Sequence, residues 1–130
     1  MQNHIKIHYE MNSEQIREYC LNLPAVTEDM PFGDDTLVFR IKNKIFALLN
    51  LEGEIRLNLK CDPEKAIALR EEFSAIIPGY HMNKAHWNTL IMNGSLKVEL
   101  IRSLIDHSYE LIIESLPKKV KEELKHYKKR

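Results

Sequence analysis

Apolar residues along this chain fall first at helical spacing, then at every second position, then at helical spacing again, and these changes of period mark its elements. Ile16, Tyr19, Cys20 and Leu23 share one helical face, Asn12 with Gln15 three residues on supplies a capping start, and Pro24 ends the run. The cluster Pro31-Phe32-Gly33-Asp34-Asp35 is a turn. Beyond it Leu37, Phe39 and Ile41 alternate with Val38, Arg40 and Lys42, Lys42-Asn43-Lys44 turns the chain, and residues 45–51 return as an apolar strand. Glu52-Gly53-Glu54 makes a second tight turn into residues 55–60, whose strict alternation marks a sheet with one wet face. A three-stranded antiparallel meander is predicted.

Asp62-Pro63 is a strong helix start, because Asp accepts from free first-turn amides and Pro there lacks only a donor that no carbonyl awaits. Ala66, Ile67, Leu69, Arg70 and Phe73 carry this helix to about Ser74. Residues 80–92, broken near Lys84-Ala85, read as a further hairpin or strand pair. Gly94-Ser95 opens the longest helix, in which Val98, Ile101, Leu104, Ile105, Tyr109, Ile112 and Leu116 form a broad apolar stripe that Pro117 ends. Val120 and Leu124 mark one more short helix in the basic tail, and the alternation of Ile5, Ile7 and Tyr9 makes residues 1–10 either an edge strand or a tail. The expected fold is α+β, an antiparallel sheet of about five to six strands packed against helices. One domain is expected over residues 11–124, between an N-terminal extension (1–10) and a basic C-terminal tail (125–130).

At 130 residues with 44% hydrophobic content the chain is long enough to bury a continuous core without disulfides or a structural metal. Its 19 basic and 19 acidic residues cancel, but unevenly: the net charge is −5 over residues 1–35, +3 over 36–61, −3 over 62–116 and +5 over 117–130. A neutral chain steers little at long range, so a nucleic acid or an anionic surface would have to meet a local basic patch. Cys20 and Cys61 read as reduced structural thiols. The first ten residues lack the apolar core of a secretory signal and no later run approaches a membrane span, so a cytoplasmic protein is expected.

The chemistry is densest over residues 77–92, I-P-G-Y-H-M-N-K-A-H-W-N-T-L-I-M, where Tyr80, His81, Asn83, Lys84, His86, the single Trp87 and Asn88 offer hydrogen bonds, a cation and stacking surface together. His81 and His86 lack the further ligands that a metal needs, and no cofactor or metal is expected. Trp87 is a stacking platform or a core anchor; strand parity sets Lys84, His86 and Asn88 against it, and polar side out with Trp87 in is the simpler arrangement. Arg40, Lys42, Arg56, Asn58 and Lys60 alternate along the meander as a basic face or an ordinary solvated one, and the tail from Lys118 and Lys119 to Arg130 is the densest positive charge. Acidic residues Glu14, Glu18, Glu28, Asp29, Asp34 and Asp35 spread over helix, strand and turn instead of forming a cation-binding ridge. No serine sits in a strand-turn-helix nucleophile elbow, so no catalytic set is legible.

The segments P-F-G at 31–33, K-x-F-A-L-L at 44–49, L-N-L-K-C-D-P-E at 57–64, P-G-Y-H-M-N-K-x-H-W-N at 78–88, S-Y at 108–109 and L-P-K-K at 116–119 together resemble the MmcQ/YjbR family, over about residues 11–124. The resemblance implies a small α+β domain similar to the bacterial frataxin fold and a DNA-binding role. The combined expectation is a non-enzymatic binding protein. DNA is the first partner, met by Arg40, Lys60, Lys84, His86 and Asn88 with Lys118 and Lys119 assisting. The alternative is a small-molecule or protein partner, with Tyr80, His81 and Trp87 around a ligand, and metal binding like that of the frataxin fold is the minority reading.

Overall fold

The capping box read at Asn12 forms: Asn12 Oδ1 accepts from the Gln15 amide at 2.8 Å, Gln15 Oε1 accepts from the Asn12 amide at 3.0 Å, and helix α1 runs Ser13–Leu21. The computed structural model describes residues 10–79 and 82–126. After α1 come β1 (Val26–Asp29), β2 (Thr36–Ile41), β3 (Lys44–Asn50), β4 (Arg56–Lys60), α2 (Pro63–Glu72), β5 (Ile76–Pro78), β6 (Trp87–Ile91), α3 (Val98–Ser115) and α4 (Lys118–Leu124). The six strands form one antiparallel sheet in the order β1-β2-β3-β4-β6-β5, as the α+β expectation requires.

The turns explain the meander. Lys42 and Asn43 take φ of 49° and 70°, the left-handed pair that a two-residue hairpin between twisted strands needs. Gly53, with φ 69°, does the same service between β3 and β4. Asp62 caps α2 by accepting from the Lys65 amide, with Pro63 in its first turn.

Three boundaries differ from the sequence reading. β1 was not expected there; its polar Thr27-Glu28-Asp29 hides a strand, which begins after Ala25 turns at φ 65°. The second hairpin starts earlier, at Ile76, and its pairing ends at Gly79, whose amide donates to Trp87 O at 2.9 Å. A Cβ at Gly79 would stand 3.0 Å from Trp87 Cβ, so only glycine lets the strands approach this closely. Helix α3 begins at Val98, because Asn93 Oδ1 accepts from both the amide and hydroxyl of Ser95 and holds that stretch as a loop. Residues 1–9, where an edge strand or tail was expected, lie outside the described residues.

Register sorts the strand residues onto two faces. Leu37, Phe39, Ala47, Leu49, Leu57, Leu59, Ile76 and Leu90 share one face and bury it under the helices, together with Ile16, Cys20, Ala66, Leu69, Ile101, Ile105, Ile112 and Leu124. Thr36, Arg40, Leu48, Asn50, Arg56, Asn58, Lys60, Trp87 and Thr89 share the other, which none of the described helices covers. Among the described residues no helix is long and apolar enough to cross a membrane.

One irregularity organises the sheet. The register shifts between Phe39 and Arg40, which pair with Ala47 and Ile45, so Phe46 is an extra residue on β3. Phe46 and Ala47 are both fully buried toward the helices, Phe46 edge-on to Tyr109 with ring centroids 5.6 Å apart, and Ile45 returns to the open face beside Arg40. The fully buried Ser108 of α3 closes the bulge: its hydroxyl donates to Phe46 O at 2.5 Å and accepts from the Lys60 amide at 2.9 Å. Replacing Ser108 with Ala strands both backbone groups, and each buried unpaired polar group costs about 1–3 kcal/mol. Urea denaturation of Ser108→Ala is expected to show a loss of about 2 kcal/mol or more; a change under about 0.5 kcal/mol, the range of an ordinary surface substitution, would show that the hydroxyl does not hold the bulge.

His107, beside Ser108, accepts from the Asp62 amide through Nε2 at 3.1 Å, so the ring serves α2 only while that nitrogen is unprotonated. Burial, then the Lys65 charge, hold its pKa below the usual histidine value, while Asp62 acts the other way. Because the folded state favours the neutral ring, the unfolded chain takes up the proton first as pH falls. Stability is expected to decline as pH drops below about 6.5 toward the lowered folded pKa. His107→Gln, compared with the parent by thermal unfolding between about pH 7.5 and 5, removes that part of the decline; identical slopes for the two proteins would refute the assignment.

Candidate functional site

On the open face a string of side-chain hydrogen bonds crosses four strands. Thr89 Oγ1 donates to Asn58 Oδ1 at 2.5 Å, Asn58 Nδ2 to Asn50 Oδ1 at 3.0 Å, Asn50 Nδ2 to Thr36 Oγ1 at 3.1 Å, and Thr36 Oγ1 to Asp35 Oδ1 at 3.2 Å. The string is possible because β6, β4, β3 and β2 each place a polar residue on this face at matching depth: Asn58 pairs with Thr89 and Thr36 with Asn50. Every member donates in the same direction, toward the Asp35 carboxylate, so the links reinforce one another.

Two concavities share Asn50 and Asn58 as floor. One, of about 320 Å³, lies between Phe32 on the β1–β2 loop and Met82 on the β5–β6 loop, over Ile45 and Leu48. The other, of about 390 Å³, continues past Thr89 and Ile77 to Arg56, Glu52 and Glu54. Phe32 is 63% exposed, far more than an apolar ring of its size needs to be in a domain with this much core. No local signal in the sequence marks the groove: Asn58 reads only as an alternating position of the meander and P-F-G at 31–33 only as a turn.

Charge divides along the strands. At one end stand Asp35, Glu52 and Glu54, with Arg56 drawn to Glu54 at 3.8 Å. Toward the opposite end, register sets Arg40 beside Ile45, and Lys60 beside Trp87, with the Lys42-Asn43-Lys44 turn beyond. The start of α4 reaches the same end, since Lys42 pairs with Glu123 at 3.7 Å and Lys44 Nζ donates to Ser115 just before Lys118 and Lys119. Arg40 is bound to Asp29 at 3.0 Å and donates to Asn43 O.

The expected contact residues therefore separate. Arg40, Lys60, Lys118 and Lys119 lie at one end of the sheet, and the last two are exposed. Lys84 and His86 are exposed in the tight turn leading into β6, where Asn83 Oδ1 accepts from the Ala85 amide and the Cys61 amide donates to His86 O. Asn88 is a correction: at 2% exposure it faces the helices, accepting from Arg70 at 2.8 Å and donating to Ala66 O at 3.3 Å. It ties α2 to the sheet and is withdrawn from any contact surface. Trp87 is the complementary correction, because it stands on the open face opposite Lys60 and not in the helix-side core. Parity separated the two residues correctly, but which face the helices cover is a tertiary fact. Tyr80 and His81 lie outside the described residues.

Other reactive groups are turned inward. Burial pushes the Cys20 thiol up to about 12 and raises that of Cys61, so neither is a ready thiolate. Tyr19 OH donates to Asp106 at 2.8 Å, and burial followed by that bond pushes its pKa up to about 12. Among the described residues no three His, Cys, Asp or Glu side chains converge as metal ligands.

Comparison with known proteins agrees with this architecture. The family model described as YjbR matches residues 21–111. The uncharacterized protein YbdF of Escherichia coli O157:H7 is 38% identical over 107 residues, spanning 82% of this chain and 88% of that protein. The uncharacterized protein YjbR of Escherichia coli K12 is 31% identical over 108 residues, spanning 82% and 92%. The crystal structure of Deinococcus radiodurans protein DR2400, with a DUF419 domain, superposes with a TM-score of 0.85 at 35% identity, covering 92% of each chain. A crystal structure of a Pseudomonas syringae protein superposes with a TM-score of 0.69 at 34% identity, covering 78% of this chain and 98% of that one. With a family match running from α1 into α3 and a shared fold on either side of it, this chain belongs to the YjbR family.

Proposed function

We propose that the protein is a non-enzymatic, cytoplasmic binding protein whose partner is DNA, met by the basic end of the sheet. The observation that carries this reading is that Arg40, Lys60, Lys118 and Lys119, far apart in sequence, share one end of the molecule with Lys42 and Lys44. From β2 to β6 the Arg40–Lys60–Trp87 row spans three strand spacings, about 14 Å, which is on the scale of the roughly 12 Å major groove. The ion pairs Arg40–Asp29 and Lys42–Glu123 are partly exposed, and such pairs are worth no more than about 1 kcal/mol, so phosphates can replace the carboxylates at little cost. Lysines on a rim contact phosphates and position the duplex without reading its bases. The two buried thiols suit a reducing compartment.

Neutralising about four phosphates gives a log–log salt slope of roughly −3 to −4. Fluorescence anisotropy with a mixed-sequence duplex, from about 50 to 200 mM salt, is expected to show that slope, made shallower by about one for each of Lys60→Ala and Lys118→Ala. Absent binding, or binding indifferent to salt, rejects the reading.

A further inference from the structure

We infer that the groove on the open face is a site for a single nucleotide unit, with its planar base between Phe32 and Met82 and its phosphate toward Arg40 and Lys60. The inference deepens the DNA reading and rests on the same cations, but its carrying observations lie in the groove.

The first is shape. Phe32 and Met82 stand as apolar walls on two different loops, Ile45 and Leu48 form an apolar floor between them, and the space enclosed is about 320 Å³. That is the scale of a one- or two-ring planar group rather than of a helix or a duplex. An exposed phenyl ring beside a thioether offers a π surface and a polarisable one to the two sides of such a ring.

The second is hydrogen-bond capacity. A primary amide carries two protons. Among the described residues Asn50 and Asn58 each spend one of theirs within the string, and their carbonyl oxygens already accept within it. Each amide therefore keeps one N–H and one carbonyl lone pair, an edge that calls for a planar ligand carrying acceptors and donors side by side. The string also holds both amides in one orientation, so little rotamer freedom is lost on binding.

The third is charge. Among the described residues the amide end of the groove carries three carboxylates, Asp35, Glu52 and Glu54, against one cation, Arg56, and is net negative. An anionic group is repelled there, so the part that meets the amides is uncharged. At the Ile45 end the neighbours are Arg40, whose partly exposed pair with Asp29 a phosphate can replace, and Lys60 on β4, so an anionic group is drawn in. A neutral ring with donors and acceptors on one edge, joined to an anionic tail, is the composition of a nucleotide. The source is either a free nucleoside monophosphate or a base unstacked from a single strand, since a base inside a duplex cannot enter a slot this narrow.

The test compares three probes, namely nucleoside monophosphates, a short mixed-sequence single strand and the same sequence as duplex, against the parent protein, Phe32→Ala and Asn58→Leu. Phe32 is exposed on a loop, so its variant keeps the fold; circular dichroism checks Asn58→Leu. Both variants are expected to weaken the single strand about ten-fold or more and leave the duplex unchanged, in line with the loss of one stacked base. Monophosphates that shift the Asn50 and Asn58 side-chain amide resonances without any single-strand binding identify the free nucleotide as the ligand. Nucleotide binding at the groove with no duplex binding rejects the rim as a duplex site and keeps the groove. Single-strand binding indifferent to both variants overturns the groove and leaves the rim standing, and failure of all three probes overturns both.

Discussion

The Ser108 hydroxyl is where the two layers of this protein are joined. It donates to the Phe46 carbonyl and accepts from the Lys60 amide, so one buried group on α3 holds the bulge of β3 and the end of β4 together. A buried carbonyl without a donor is costly, and the extra residue at Phe46 exposes the sheet to that cost in the middle of its core. In return the bulge sends both Phe46 and Ala47 into the helix-side core and brings Ile45 to the opposite face, next to Arg40. The apolar floor of the groove and the packing of Phe46 on Tyr109 are thus set by one event.

Much of the architecture was legible because its signals are local. The Asn12–Gln15 capping box, the Asp62-Pro63 start and the Lys42-Asn43 and Gly53 turns each follow from a few neighbouring residues, and each forms as read. Where the sequence misleads, the deciding partner is distant. Thr27-Glu28-Asp29 looks like loop until Glu28 meets Arg17 across from α1 and Asp29 meets Arg40 on β2. Asn88 looks like a surface residue until Arg70 and Ala66 of α2 satisfy it, and Trp87 is left outside as a direct result. The groove was illegible for the same reason, since Phe32 and Met82 are 50 residues apart and the polar string joins four strands.

The open face is a gradient more than a patch. Carboxylates gather where β2 begins and β3 turns into β4, and cations gather at the far end, although the whole chain is neutral. Such a separation gives an approaching ligand an orientation without drawing anions to the molecule in general. Net charge alone would have argued against nucleic acid; its distribution over the folded surface does not.

The string from Thr89 to Asp35 has a direction only because its last acceptor is a carboxylate that can give nothing back. Asp35 lies outside the Phe32–Met82 pocket, yet it decides on which side each floor amide sets its N–H and on which its oxygen. Were this one residue made neutral and able to donate, the row of dipoles would lose its anchor and be free to invert, exchanging the places of donor and acceptor along the floor. The chemical sense of the cleft is therefore written at a position that no ligand needs to touch.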